Sequence, residues 1–250
     1  MTGILYLIPN TLGSNDEAPA NPLATVIPEQ VRAITASLSY FIAENAKTTR
    51  AHLKLIGLTH PLARSLQEIR IKGLNVNTEA STLPELLAPL LAGENAGLIS
   101  EAGVPAVADP GANLVRLAHA SGIRVRPLVG PSSLLLAVMA SGLNGQSFAF
   151  NGYLPTDASQ RTKRLKTLED RSRAERQTQL FIETPYRNAA LLEALANTCH
   201  ASTLVCVATD LSLPSESIRT QSAGKWKTDM AEGKTPDFHK KPTVFLLLAG

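Results

Sequence analysis

The residues of this chain with the types and spacing for chemistry lie in short turns. Residues 100–111 read SEAGVPAVADPG and residues 128–133 read LVGPSS. Gly and Ser leave room for a ligand to approach the backbone, and Pro fixes the path of the chain. Asp109 has two competing roles in its turn. It can cap the helix that follows, the favoured reading, or it can face a ligand. Ser132 likewise suits an N-cap, and an N-cap residue already sits at a ligand-facing strand end. Further on, Glu183 and Arg187 stand within one helical turn at the end of a strand-like run, where an acid and an arginine can form an ion pair. The first turn, PNTLG at 9–13, by itself is a plain strand-to-loop connection.

These turns must be positioned by strands and helices. Two short apolar runs, 96–99 and 123–128, each end in one of the turns, and each turn leads into an apolar-periodic segment. That is the layout of strand, loop, helix, repeated. In open α/β sheets, ligands sit beyond the carboxyl ends of the strands, so both turns are expected at one edge of one sheet. Residues 3–8 and 39–43 read as further strands, and 28–38 as a helix with Pro28 at its start. Helices are also expected over 47–58, over 83–92 with Thr82 as N-cap, and over 111–120 with Gly122 as a left-handed stop. The turn-rich stretch 9–21 is expected to be an exposed loop. After Leu143 the pattern changes. Strands are expected at 148–151, 179–183, 204–208, 216–221 and 243–248, and helices at 162–176 and 187–197. Strict βα alternation is lost there, which fits a mixed sheet. The boundary falls near 128–132, giving an N-terminal α/β domain over 1–130 with a mostly parallel sheet and a C-terminal α/β domain over 131–250.

Composition narrows the function classes. With 250 residues and 44% hydrophobic content, the chain can build a sizeable core, and with 4% aromatics it must fill that core with Leu, Ala and Val. No apolar run approaches the ~18 residues needed to span a bilayer. MTGILYLIPN has no basic leader and reads as a buried strand, not a signal peptide. The two cysteines, Cys199 and Cys206, flank a strand-like run without ligand spacing and read as buried reduced thiols of a cytoplasmic protein. The scattered histidines exclude a metal site of the usual spacing. There is no GxGxxG, no P-loop Lys and no Ser-His-Asp arrangement. A net charge of +3 permits an RNA partner. Arg161, Lys163, Arg164, Lys166, Arg171, Arg173 and Arg176 crowd one segment, readable as a solvated helix face or as a phosphate-contacting surface.

The paired motifs SEAGVPAVADPG and PLVGPSS, followed by SGL, resemble the tetrapyrrole-methylase superfamily of S-adenosylmethionine (SAM) dependent methyltransferases. Within it they are most similar to the branch that methylates a cytidine ribose 2′-hydroxyl of 16S ribosomal RNA. GILYLIPNTLG (3–13), FIAENAKTTR (41–50), GYLP, FIETPYRN (181–188) and KPTVFLLLAG (241–250) extend the resemblance over nearly the whole chain. The resemblance implies two α/β domains with the active cleft between them, a homodimer, and SAM as cofactor. It implies cofactor contacts from Leu12, Ser100, Glu101, Gly103, Val104, Ala106, Gly130, Ser132, Ser133, Ile182, Ala208 and Thr243. Glu101, where the family has Asp, is expected to accept hydrogen bonds from the cofactor. Gly103, Val104 and Ala106 are expected to offer it backbone groups. Glu44, Lys47, Glu183 and Arg187 are then the candidates for acceptor positioning or proton handling. The departures from the branch fall on the acceptor side: Glu44-Asn45-Ala46-Lys47 for Glu-Asp-Thr-Arg, Tyr186 for His, and Asp210-Leu211-Ser212-Leu213 for Glu-Leu-Thr-Lys. The implied partner is ribosomal RNA or the small ribosomal subunit. The alternatives are the same fold with a small-molecule, tetrapyrrole-like or protein acceptor, or a catalytically silent SAM-binding protein.

Overall fold

The computed structural model describes residues 1–13 and 23–250. Most of the expected 9–21 loop lies outside the described residues. The chain forms two compact units, Met1–Ser132 and Ser133–Gly250.

The first unit holds β1 (Ile4–Ile8), α1 (Leu23–Val26), α2 (Glu29–Ala36), β2 (Tyr40–Ala43), α3 (Ala46–Gly57), β3 (Arg70–Gly73), α4 (Leu83–Leu91), β4 (Ala96–Ile99), α5 (Ala112–Ala120) and β5 (Arg124–Pro127). Its sheet runs β3-β2-β4-β1-β5, and every pairing is parallel. Parallel sheets are covered on both faces, and the strand residues alternate accordingly. Leu5, Tyr40, Ile42 and Leu98 face a core with Leu87 and Leu90 of α4 and Leu114 of α5. Tyr6, Ile8, Phe41, Ala43 and Ile99 face a second core with Leu53 of α3. Burying each such aliphatic side chain contributes about 1.5–3 kcal/mol before entropy is counted. Ile8 pairs with Ile99, which also pairs with Ala43. The residues after β1, β2 and β4 therefore emerge side by side at one edge.

The second unit holds α6 (Ser133–Ser141), β6 (Phe148–Tyr153), α7 (Ala158–Glu175), β7 (Thr178–Ile182), α8 (Asn188–Thr198), β8 (Leu204–Thr209), β9 (Ser217–Ser222), α9 (Ala223–Ala231) and β10 (Thr243–Leu248). Its sheet runs β6-β7-β10-β8-β9. β6 and β7 are parallel and the other pairs antiparallel, a mixed sheet. Phe181, Phe245, Val205, Val207 and Leu247 face a core built with Leu165, Leu168, Leu192, Leu195 and Trp226. The fully buried Trp226 donates its Nε1–H to the Val205 carbonyl at 2.9 Å. Cys199 and Cys206 are buried free thiols, and burial pushes the Cys199 thiol up to about 12.

Several local expectations are corrected. Thr82 stands at the N-cap position of α4 but makes no capping bond: it ends a 3-10 turn in helical backbone, and its hydroxyl donates to the Glu79 carbonyl at 2.8 Å. α7 begins four residues before Thr162, because Asp157 caps it by accepting from the Gln160 N–H at 2.8 Å. Strand β3 and helix α9 were not expected. β3, RIKG, is a polar edge strand with no buried residue to mark it. α9 buries only Ala223, Trp226 and Asp229 among polar neighbours, so its apolar stripe is weak.

Candidate functional site

At the carboxyl edge of the first sheet, Asn10 ties the ends of β1 and β4 together. It is 7% exposed. Its backbone N–H donates to the Gly103 carbonyl at 2.8 Å, and the Gly103 N–H donates back to Thr11 at 3.2 Å. The Asn10 amide NH₂ reaches the carbonyls of Ser100 (3.3 Å) and Glu101 (3.0 Å). Its Oδ1 therefore accepts, from the Thr11 N–H and from His52 Nδ1, both at 2.9 Å. This polarity places the His52 proton on Nδ1 and leaves Nε2 bare, and Nε2 is buried without a hydrogen-bond partner. Burial lowers the His52 pKa to about 4, so the ring is neutral at pH 7.

β2 ends in a second set of contacts. The Glu44 carboxylate accepts the Glu101 N–H at 3.2 Å. Asn45 caps α3 by accepting from the Lys47 N–H at 2.9 Å and donates its amide to Glu101 Oε1 at 2.8 Å. One residue thus starts the helix and orients the carboxylate. Lys47 itself is exposed. Asp109 does not cap α5. Gly111 is the N-cap there, at φ +138°, with no side-chain cap bond. Half-burial, followed by the Glu44 charge, pushes the Asp109 carboxyl up to about 6. The Ser100 hydroxyl opposes that shift, although it is buried and makes no hydrogen bond of good geometry. Ala106 and Ala108 adopt φ of +66° and +65°. Non-glycine residues take that conformation at a cost, so the loop's path is imposed by its surroundings.

The expected cofactor residues divide by unit. Leu12, Ser100, Glu101, Gly103, Val104, Ala106, Gly130 and Ser132 belong to the first. Leu12 lies over Gly103, where an added Cβ would meet its side chain at 3.2 Å. The Gly103 N–H is engaged with Thr11 and its carbonyl accepts from Asn10, which ties the two loops together and leaves the second lone pair of that carbonyl as the backbone group it can offer a ligand. Gly130 is needed for packing: a Cβ there would lie 2.2 Å from the Pro9 ring. A side chain at 130 therefore disturbs the fold before it touches any ligand.

Ser133, Ile182, Ala208 and Thr243 belong to the second unit. Ile182 and Ala208 both pair with Val244, so Ile182, Ala208 and Thr243 share one edge of that sheet. The Thr243 hydroxyl is held within the protein, accepting from the Asn188 amide at 3.1 Å and donating to the Lys241 carbonyl at 3.1 Å. Beyond Ile182, Glu183 and Arg187 do form an ion pair, at 2.5 Å, with the Glu183 side chain 1% exposed. The same carboxylate oxygen accepts the Thr184 N–H at 2.7 Å. Glu183 is thus a fixed anion that orients Arg187. Asp210, directly after β8, adopts φ +50° and accepts from the Ser215 hydroxyl at 2.9 Å.

Sequence reasoning missed Asn10, His52 and Asn45. The available signals were a polar residue directly after the first apolar strand and a histidine in the Thr49, Leu53, Ile56 stripe of α3.

The relatives of the chain carry this geometry toward a function. No family model matches it. It is 32% identical over 198 residues to a ribosomal RNA small subunit methyltransferase I from Xylella fastidiosa, covering 79% of this chain and 68% of that one. The chain belongs to the ribosomal RNA small subunit methyltransferase I family. A second member, from Escherichia coli O157:H7, is 29% identical over 248 residues, 99% of this chain and 78% of its own. The crystal structure of the methyltransferase CobJ superposes with a TM-score of 0.59 at 17% identity, covering 100% of this chain and 95% of that one. At that identity the likeness is one of fold alone, a chain of two α/β units. For this member of the family, the strand-end turns of the sequence are the loops that Asn10, Asn45 and Gly103 lock in place.

Proposed function

We propose that this protein transfers the methyl group of SAM to a ribose 2′-hydroxyl of small-subunit ribosomal RNA, in the cytoplasm and as a homodimer. The observation that carries the reading is the match over nearly the whole chain to methyltransferases of that name. The homodimer rests on the superfamily resemblance. Among the described residues, no helix is long and apolar enough to cross a membrane.

The donor set of the first unit suits SAM, which carries an ammonium, ribose hydroxyls and a sulfonium. Glu44, Glu101 and Asp109 gather carboxylates at neighbouring strand ends, and the Ser100 hydroxyl is buried without a well-formed bond. In this reading, Leu12, Ser100, Glu101, Val104, Ala106 and Ser132 hold the cofactor from the first unit. SAM supplies an electrophilic methyl for direct displacement. The protein's contribution is to hold the hydroxyl in line. Glu44 and Lys47 position the acceptor, and Arg187, fixed by Glu183, offers a guanidinium to its phosphates. Asp109, titrating near pH 6, is matched to taking a proton near neutrality. The test is transfer of labelled methyl from SAM to undermethylated small ribosomal subunits, with calorimetric titration of SAM in parallel. Label in a 2′-O-methylated nucleotide is expected. SAM binding without transfer to RNA would move the acceptor to a small molecule or protein.

A further inference from the structure

The second unit carries a small cavity that the cofactor reading leaves unused. It has a volume of about 270 Å³ and is lined by Pro185, Tyr186, Ala189, Pro236, Asp237 and His239, among others. That is below the range of pockets for drug-sized ligands, so it fits one small planar group. Tyr186 is 73% exposed, so its ring is open to a stacking partner. Two prolines and His239 add flat surfaces around it. The far wall is held in place: Asn188, 1% exposed, reaches the carbonyls of Phe238 (3.0 Å) and Lys241 (2.8 Å). Basic residues flank the lining in sequence: Arg187, paired with Glu183, follows Tyr186, and Lys240 and Lys241 follow His239. Lys241 lies 3.4 Å from the Asp237 carboxylate. The His239 N–H, followed by Lys241, holds the Asp237 carboxyl below its usual range, so it is an ionised acceptor at neutral pH.

We propose that this cavity binds an unstacked nucleobase of the RNA, stacked on Tyr186, with Asp237 accepting from an exocyclic amino group and these basic residues meeting the flanking phosphates. The proposal rests on the RNA reading above and deepens it. Single-stranded RNA is recognised by stacking splayed bases on aromatic side chains and bonding their edges. A carboxylate facing the 4-position of the base accepts from the cytosine amino group and repels the lone pairs of the uracil O4. The site therefore prefers cytosine over uracil.

The experiment measures binding of labelled hexamers, oligo(C) and oligo(U), to the full-length protein by fluorescence anisotropy. SAM titration of the same samples controls for the cofactor site. Wild type is expected to bind oligo(C) about tenfold tighter than oligo(U). Tyr186→Ala should weaken oligo(C) binding about tenfold, as loss of one stacked base does, while Tyr186→Phe keeps it. Asp237→Asn should abolish the preference, because an amide can also donate to uracil. SAM affinity should not change in any variant. Both substituted side chains are exposed, so folding is not at stake. Equal binding of the two hexamers by wild type, no binding of either, or wild-type oligo(C) affinity in Tyr186→Ala would overturn the proposal. Absence of methyl transfer to ribosomal subunits would instead overturn the RNA reading, and the two failures are separately visible.

Discussion

The half-buried Asp109 and the buried His52 are ionisable residues whose effects on stability have opposite signs. The folded-state pKa of Asp109 is raised from 3.8 to about 6 by burial and then by Glu44. The folded state therefore holds its proton more tightly than the unfolded chain. Its contribution is fully present below pH 3.8 and lost as pH rises through 6. With a discount for partial exposure, the ionised carboxylate costs on the order of 1–2 kcal/mol at pH 8. Asp109→Asn should raise the melting temperature at pH 8, leave it unchanged near pH 3.5, and reduce methyl transfer. His52 runs the other way, its pKa lowered from 6.5 to about 4 by burial. Its neutral ring is tolerated above pH 6.5, and about 3 kcal/mol is lost as pH falls from there to 4. His52→Gln should remove that acid-side loss while keeping a donor for Asn10. Parallel stability–pH curves for wild type and His52→Gln would contradict this account.

At the scale of elements, α7 shows how structure divides a charge run. Of its six cations, Arg171 pairs with Glu175 at 3.1 Å and Arg173 with Asp170 at 3.2 Å and Glu169 at 3.9 Å. Arg161 bonds the Thr156 carbonyl at 3.1 Å. Lys163 and Lys166 are exposed and form no ion pair among the described residues, and Arg164 reaches only the neutral Asn151. The phosphate-contacting reading therefore narrows to Lys163, Arg164 and Lys166, in the N-terminal half of the helix. Replacing these three with Ala should lower RNA affinity and flatten its log–log salt slope by about 2–3, because each lost phosphate contact releases less than one counterion. SAM affinity should stay at the wild-type value, and stability should change by less than about 1 kcal/mol. If the salt slope does not move, the segment is a solvated helix face.

For the molecule as a whole, the chemistry is expected to be independent of metal. Among the described residues, no three His, Cys, Asp or Glu side chains converge as a metal site would require. Glu44 and Glu101 are tied to backbone and amide donors, and Asp109 feels their charge without closing on them as a metal cage would require. Methyl transfer should survive EDTA unchanged. Loss of transfer on chelation, restored by a divalent ion, would show that a metal takes part.

The strand-loop-helix rhythm, the parallel and mixed sheets and the turns at 100–111 and 128–133 were legible in the sequence. Short apolar runs ending in Gly/Pro/Ser turns depend on local chemistry, which a linear reading can weigh. The Glu183–Arg187 pair was legible for the same reason, since both residues lie within one turn. What tertiary structure alone decided are contacts between residues far apart in the chain. Asn10 joins Ser100, Glu101 and His52 because parallel pairing brings β1, β2 and β4 to one edge. Gly103 closes on Leu12, and Gly130 on Pro9, for reasons set by neighbouring loops. The identity of the α5 cap was likewise settled by the fold: Asp109 is drawn into the carboxylate group, and Gly111, in a conformation few other residues adopt, starts the helix instead.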